Sequence, residues 1–191
     1  WKSGAEFDYD GFVEFVEIWG KHPAFNFCVI PDVIDGDEQA NDEFLERWRG
    51  GNTHAAPVWH MHESLERLER LVETYSIVCL GSSGEYSQPN SKVWWERMEK
   101  AMDVATDEDG VPKAKLHGLR MLNPEVFTRL PLHSADSTNA ERNSMFDQYF
   151  GRYTPPTKGQ RAAVIANRVE AQQSASMWVK KPSQDEFEFI S

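Results

Sequence analysis

The stretch SLERLERLVETYSIVCLGSSGE, residues 64–85, decides the fold class. Its first half places Leu65, Leu68, Leu71 and Val72 at helical spacing, with charges between them, so it reads as an amphipathic helix opening at Ser64. Its second half switches period. SIVCL, residues 76–80, is a short, wholly apolar, β-branched run, the pattern of a strand covered on both faces. The strand ends in Gly81 and a loop of small residues. Helix, buried strand and small-residue loop in that order make the repeating unit of an α/β protein built on a parallel sheet.

The same alternation extends to both sides. Upstream, residues 10–19 carry Phe12, Phe15, Val16 and Trp19 on one helical stripe. Residues 25–30 (FNFCVI) then read as a buried strand ending at Pro31-Asp32. A helix is expected over residues 41–48 and a short strand over residues 57–60. Downstream, residues 93–106 read as a helix and residues 114–116 as a strand ending at His117-Gly118. A short helix follows, with Asn123 as N-cap and Pro124 in the first turn. Residues 132–135 form a last strand, ending at Asp136, and one long helix spans about residues 158–177. The polar tail from Lys180 is expected to be mobile.

This gives five strands. A complete eightfold barrel needs about 250 residues, and the chain has 191. The fold expected is therefore α/β, a (β/α)8 TIM-like barrel lacking its first strands, with a smaller α/β sheet as the alternative. Residues 1–157 would be the C-terminal part of the barrel domain and residues 158–191 a helix and tail. No Gly-rich fingerprint follows the first strand, so a dinucleotide fold gains no support.

Composition narrows the function classes. Apolar residues make up 40% of the chain and the net charge is −11. The chain as a whole lacks the basic surplus on which nucleic-acid binding usually rests, so such binding needs a local patch. Lys158, Arg161, Arg168, Lys180 and Lys181 cluster late in the chain and could touch phosphates, although a solvated helix face is the plainer reading of them. Cys28 and Cys79 lie inside apolar runs and read as buried free thiols. No apolar run reaches the ~20 residues of a membrane span, and a cytoplasmic location is the expectation.

In β/α barrels the reacting groups sit at the C-terminal ends of strands. Those ends are Asp32, His60, Gly81 to Glu85, His117 and Asp136. Asp32 and Asp136 are the central carboxylates, each with a plainer role available as a helix or turn cap. The 80–85 loop lets backbone N–H groups approach a ligand. A carboxylate at the position of Asp136 can attack an anomeric carbon. His60, His62, His117 and Asp136 offer a different chemistry, a metal-dependent barrel hydrolase. A non-catalytic purine-binding pocket is the third possibility.

Several motifs together resemble those of the tRNA-guanine transglycosylase superfamily. LGSSGE (80–85) resembles its LGGLSVGE-type loop. HGLRMLNPE (117–125) resembles its H-x-x-G-x-G-x-P-E-type strand and loop, and SADSTNAERN (134–143) falls where its nucleophilic Asp lies. VWHMHESLERL (58–68) and IPDVIDGD (30–37) resemble two further strand ends. The likeness is greater to the phage-type enzymes that place 7-deazaguanines in DNA. WKSGAEFDYDGF (1–12) looks like the stretch just after the family's Asp-x-Gly-Ala-Phe motif, which would put the first strands and one catalytic Asp before residue 1. The resemblance implies a (β/α)8 transferase that exchanges guanine for a 7-deazaguanine through a glycosyl-Asp intermediate. It implies Asp136 as nucleophile and Asp32, His60, Gly81, Ser82, Glu85, His117 and Gly118 as substrate-binding residues. The implied partners are DNA, or tRNA as the alternative, and a base such as preQ0, with a homodimer as the possible assembly. No cofactor, metal or membrane is expected. Two departures stand out. Trp59-His60 replaces the family's Gln, and its zinc-binding Cys-x-Cys-x-x-Cys segment is absent, which favours DNA over tRNA.

Overall fold

A computed structural model describes residues 7–49, 54–146 and 150–179. Strands and helices alternate in the order α1 (Tyr9–Trp19), β1 (Cys28–Val29), α2 (Glu38–Arg47), β2 (Ala55–Ala56), β3 (Val58–His60), α3 (Leu65–Thr74), β4 (Ile77–Gly81), α4 (Lys92–Ala105), β5 (Lys115–Leu119), α5 (Pro124–Phe127), β6 (Ser134–Ala135), α6 (Asn139–Asn143) and α7 (Lys158–Glu170). The caps explain where several helices start. Asp37, Ser64, Ser91 and Asn123 each accept a backbone N–H of the first turn of α2, α3, α4 and α5, which satisfies donors that a helix start otherwise leaves orphaned.

All strand ladders among the described residues are parallel. They fall into a pair, β1–β2, and a four-stranded sheet, β3–β4–β5–β6. The two are joined through Pro57. β2 and β3 flank this residue, and Pro57 O accepts Cys79 N at 2.8 Å. Pro57 has no N–H, so it breaks the ladder without breaking the chain's direction. This accounts for six strands where the sequence suggested five. Apart from β2 and β3, which only Pro57 separates, each strand pairs with its neighbour in sequence, so no strand is skipped. The array is open among the described residues, with β1 and β6 as its edges.

The two faces differ. Trp59, Val78, Leu80 and Leu116 point to a layer of helices and pack with Leu68, Leu71, Trp94, Met98, Met102, Val126 and Phe127. The alternate residues form a cluster drawn from strands and their flanks alone: Phe27, Val29, Ala56, Val58, Ile77, Cys79 and Leu119. Neighbouring strands lie ~4.8 Å apart, so β1 and β5, three steps apart, would stand ~14 Å apart in a flat sheet. Yet the rings of Phe27, just before β1, and His117 on β5 meet edge-on with centroids 5.1 Å apart. The helix-free face is therefore concave.

Several boundaries differ from the sequence reading: the strand expected over residues 114–116 runs through His117 and Gly118 to Leu119, and the last strand shortens to Ser134–Ala135. The first strand shortens to Cys28–Val29. α2 starts at Glu38 rather than residue 41, because Asp37 caps it through Ala40 N at 2.9 Å. The last helix ends at Glu170 instead of near residue 177. Beyond it, Ala175 N bonds Leu130 O and Trp178 N bonds Gly110 O. That extended route carries the Trp178 ring into the main core. The tail from Lys180 lies outside the described residues. No helix among the described residues is long and apolar enough to cross a membrane.

Candidate functional site

A cavity of about 270 Å³ opens where the strands end on the concave face. Its walls are Val29, Asp32, Ile34, Val58, His60, Gly81, Ser82, Leu119, Arg120 and Asp136. Five of the expected site residues thus converge: Asp32, His60, Gly81, Ser82 and Asp136. They come from the ends of β1, β3, β4 and β6. In a flat sheet β1 and β6, four strand steps apart, would be ~19 Å apart. Curvature brings their carboxylates to one pocket.

Asp32 is held by His60. The imidazole Nε2 lies 2.5 Å from Asp32 Oδ2, and the ring is 3% exposed. His60 Nδ1 is buried with no partner among the described residues. These partners assign the ring proton to Nε2, donated to the carboxylate, with Nδ1 as a bare acceptor. A proton on Nδ1 would bury an unsatisfied donor. Gly81 makes room for this ring, because a Cβ there would sit 2.9 Å from His60 Nδ1 and 3.3 Å from Val58 Cγ1. With Oδ2 occupied, Asp32 keeps its second oxygen without a partner among the described residues.

Asp136 is more open, its side chain 58% exposed. Arg120 N donates to Asp136 Oδ1 at 2.6 Å. His117 Nε2 stands 4.0 Å from Oδ2, a charge contact rather than a well-made hydrogen bond. The other ring nitrogen of His117 meets Ser134 Oγ at 2.8 Å, which fixes its plane. His117 is the first cause holding the Asp136 carboxyl below its ordinary value. Partial burial opposes this, and the Arg120 N–H and charge add to it. Cys79 lies on the same face. Burial, and then the charges of Asp136 and Asp32, raise its thiol to about 12.

The other expected residues are placed differently. His117 stands behind Asp136 and does not line the cavity. A Cβ on Gly118 would meet Leu132 Cδ1 and Met121 Cβ, both at 2.9 Å, so its smallness serves packing on the helix side. Glu85 lies in an exposed 3-10 turn, Gly84–Tyr86, beside Arg97 and away from the cavity. His62 stacks on His60 at 5.7 Å but bonds Ser83 Oγ at 2.7 Å and Gly36 O at 2.9 Å. Among the described residues no group of three or more His, Cys, Asp or Glu side chains is placed to hold a metal ion. Of the late basic residues, Arg161 donates to Pro155 O and lies against the Phe150 ring. Lys158 and Arg168 also have partners, and Lys180 and Lys181 lie outside the described residues.

Three residues behind the site, Glu63, Asn41 and Trp94, carried no local signal in the sequence. The Glu63 carboxylate is fully buried and accepts His60 N at 2.8 Å, Asn41 Nδ2 at 2.9 Å and Arg67 Nη1 at 2.7 Å. Asn41 Oδ1 in turn accepts Val33 N at 2.8 Å. One buried carboxylate therefore ties the loop bearing Asp32 to the strand end bearing His60. From α4, Trp94 Nε1 donates to Ser82 Oγ at 2.9 Å and fixes the loop after β4.

No family model matches the chain, and neither a curated protein nor a solved structure gives a significant match.

Proposed function

We propose that the protein is a base-exchange transglycosylase of β/α-barrel type, which replaces guanine in nucleic acid, DNA before tRNA, with a 7-deazaguanine such as preQ0. The carrying observation is the meeting of two differently held carboxylates, Asp32 and Asp136, in one small cavity at parallel strand ends. Sequential parallel strands, helices on one face and a concave opposite face suit part of a (β/α)8 barrel, whose sites lie at this end of the strands. The cavity volume lies just under the ~300–1,000 Å³ of drug-sized pockets, which suits a single base.

In this reading Asp136 is the nucleophile. One of its carboxylate oxygens attacks C1′ of the target nucleotide as the C1′–N9 bond breaks. Guanine leaves with the bond pair and takes up a proton at N9. The 7-deazaguanine N9 then attacks C1′, loses its proton and releases the carboxylate. Asp136, its carboxyl held below the ordinary aspartate value, is ionised at neutral pH. Asp32, fixed by His60, offers its second oxygen to the N–H edge of the base, and the Gly81-Ser82 backbone lines the opposite wall. A base in a duplex must be flipped out to reach the cavity.

Incubation of the full-length protein with guanine-containing DNA or RNA, followed by denaturing gel, tests this. A covalent adduct is expected in the wild type and lost in Asp136→Asn. Absence of any adduct with either nucleic acid contradicts the mechanism. A pocket that binds a purine without turnover would retain base binding in both proteins and form no adduct.

A further inference from the structure

Arg120 enters this site twice. Its backbone N–H holds the Asp136 carboxylate at 2.6 Å, and the residue lines the cavity. It does so with φ +59°, in the left-handed region, where a side chain carries a steric cost that glycine would avoid. Glycine would supply that N–H without the cost, so the arginine side chain is what needs a reason at this site. That side chain is exposed, and its charge acts on the Asp136 carboxyl at the cavity.

The charge pattern says what such a group is for. Arg120 is the one formal cation among the cavity-lining residues, against the carboxylates Asp32 and Asp136. A phosphodiester brought to this mouth is repelled by both carboxylates and by a chain of net charge −11. A planar guanidinium beside the nucleophile offsets that repulsion and matches two phosphate oxygens at once.

We infer that Arg120 is the phosphate clamp of this site, binding the phosphodiester next to the nucleotide whose C1′ faces Asp136. This rests on the proposed glycosyl-transfer reading and adds the group that recognises the polymer rather than the base. The backbone of Arg120 positions the nucleophile, and its side chain holds the substrate. DNA and RNA share the phosphodiester, so both belong in the test.

The experiment measures binding of a fluorescent single-stranded DNA, and of an RNA of the same sequence, across a salt series. It uses the full-length wild type, Arg120→Gly and Arg120→Lys, with thermal melting as the fold control. Arg120→Gly keeps the N–H to Asp136 and removes the steric cost, so its melting temperature should equal or exceed the wild type's. Its affinity should fall about tenfold or more, as for one lost charge-assisted contact. The slope of log K against log salt should drop by about 0.7, the loss of one single-strand phosphate contact. Arg120→Lys should keep the slope and lose part of the affinity, since the charge remains and the fork is gone. A loss on DNA alone, RNA alone or both identifies the acceptor. Wild-type binding with unchanged affinity and slope in Arg120→Gly overturns the clamp and leaves the glycosyl-transfer reading standing. No wild-type binding to either polymer overturns both.

Discussion

The two central carboxylates differ in how they are held, and the roles proposed for them rest on that difference. Asp32 is gripped by a buried imidazole through one oxygen. Asp136 is half-open, with a backbone N–H on one oxygen and the His117 ring near the other. The pH consequence belongs to Asp136. Its folded pKa is depressed, so its favourable contacts are fully present above the unfolded value of ~3.9 and are lost as pH falls through the lower folded value. Adduct formation limited by this nucleophile should therefore stay flat from neutral pH down to about 4 and fall only below that. Single-turnover adduct yield against pH measures it. In His117→Gln the acid limb should move upward. An unmoved limb would mean that His117 does not tune Asp136.

Secondary elements were legible in the sequence to the extent that their signals are local. Ser64, Asn123 and the apolar stripe of α3 stand where the pattern put them. Pro57 and Asp37 were harder, since one divides a strand without ending it and the other is a cap that resembles a surface charge. The network behind the site was out of reach for a physical reason. Glu63, Asn41 and Arg67 are charged or polar residues in polar surroundings along the chain, and only folding buries them together. A buried donor that loses its acceptor is destabilising. Glu63→Ala should cost about 1–3 kcal/mol in urea unfolding, because His60 N and Asn41 Nδ2 lose their buried acceptor while Arg67 keeps Asp42. Glu63→Gln keeps the shape and should cost less. Equal, small effects in both variants would show that the network contributes little.

At the scale of the molecule, alternation along each strand sorts the chain into a side packed under helices and a side that carries the cavity. Gly81 and Gly118 illustrate the division. Gly81 is the last residue of β4 and Gly118 the last but one of β5, and both look like loop glycines in sequence, yet one makes room for His60 at the cavity and the other for Met121 and Leu132 in the core. Which face a glycine serves depends on register, and register is invisible until strands pair. The expected free thiols follow the same division, with Cys79 buried and Cys28 half-buried. Burial raises them to about 12 and about 11, and the thiolate is the reactive form. At pH 8 a maleimide should label neither appreciably in the folded protein and both in urea. Rapid labelling of Cys79 in the native state would mean that the concave face is open beneath the cavity.

The central claim, that Asp136 attacks the sugar, is tested most directly by locating the bond. Full-length protein is incubated with guanine-containing DNA, quenched and digested, and the peptides are weighed. The account predicts a deoxyribose-linked mass on the peptide that contains Asp136, lost in Asp136→Asn. An adduct mapped to another residue, or one that survives Asp136→Asn, would contradict it.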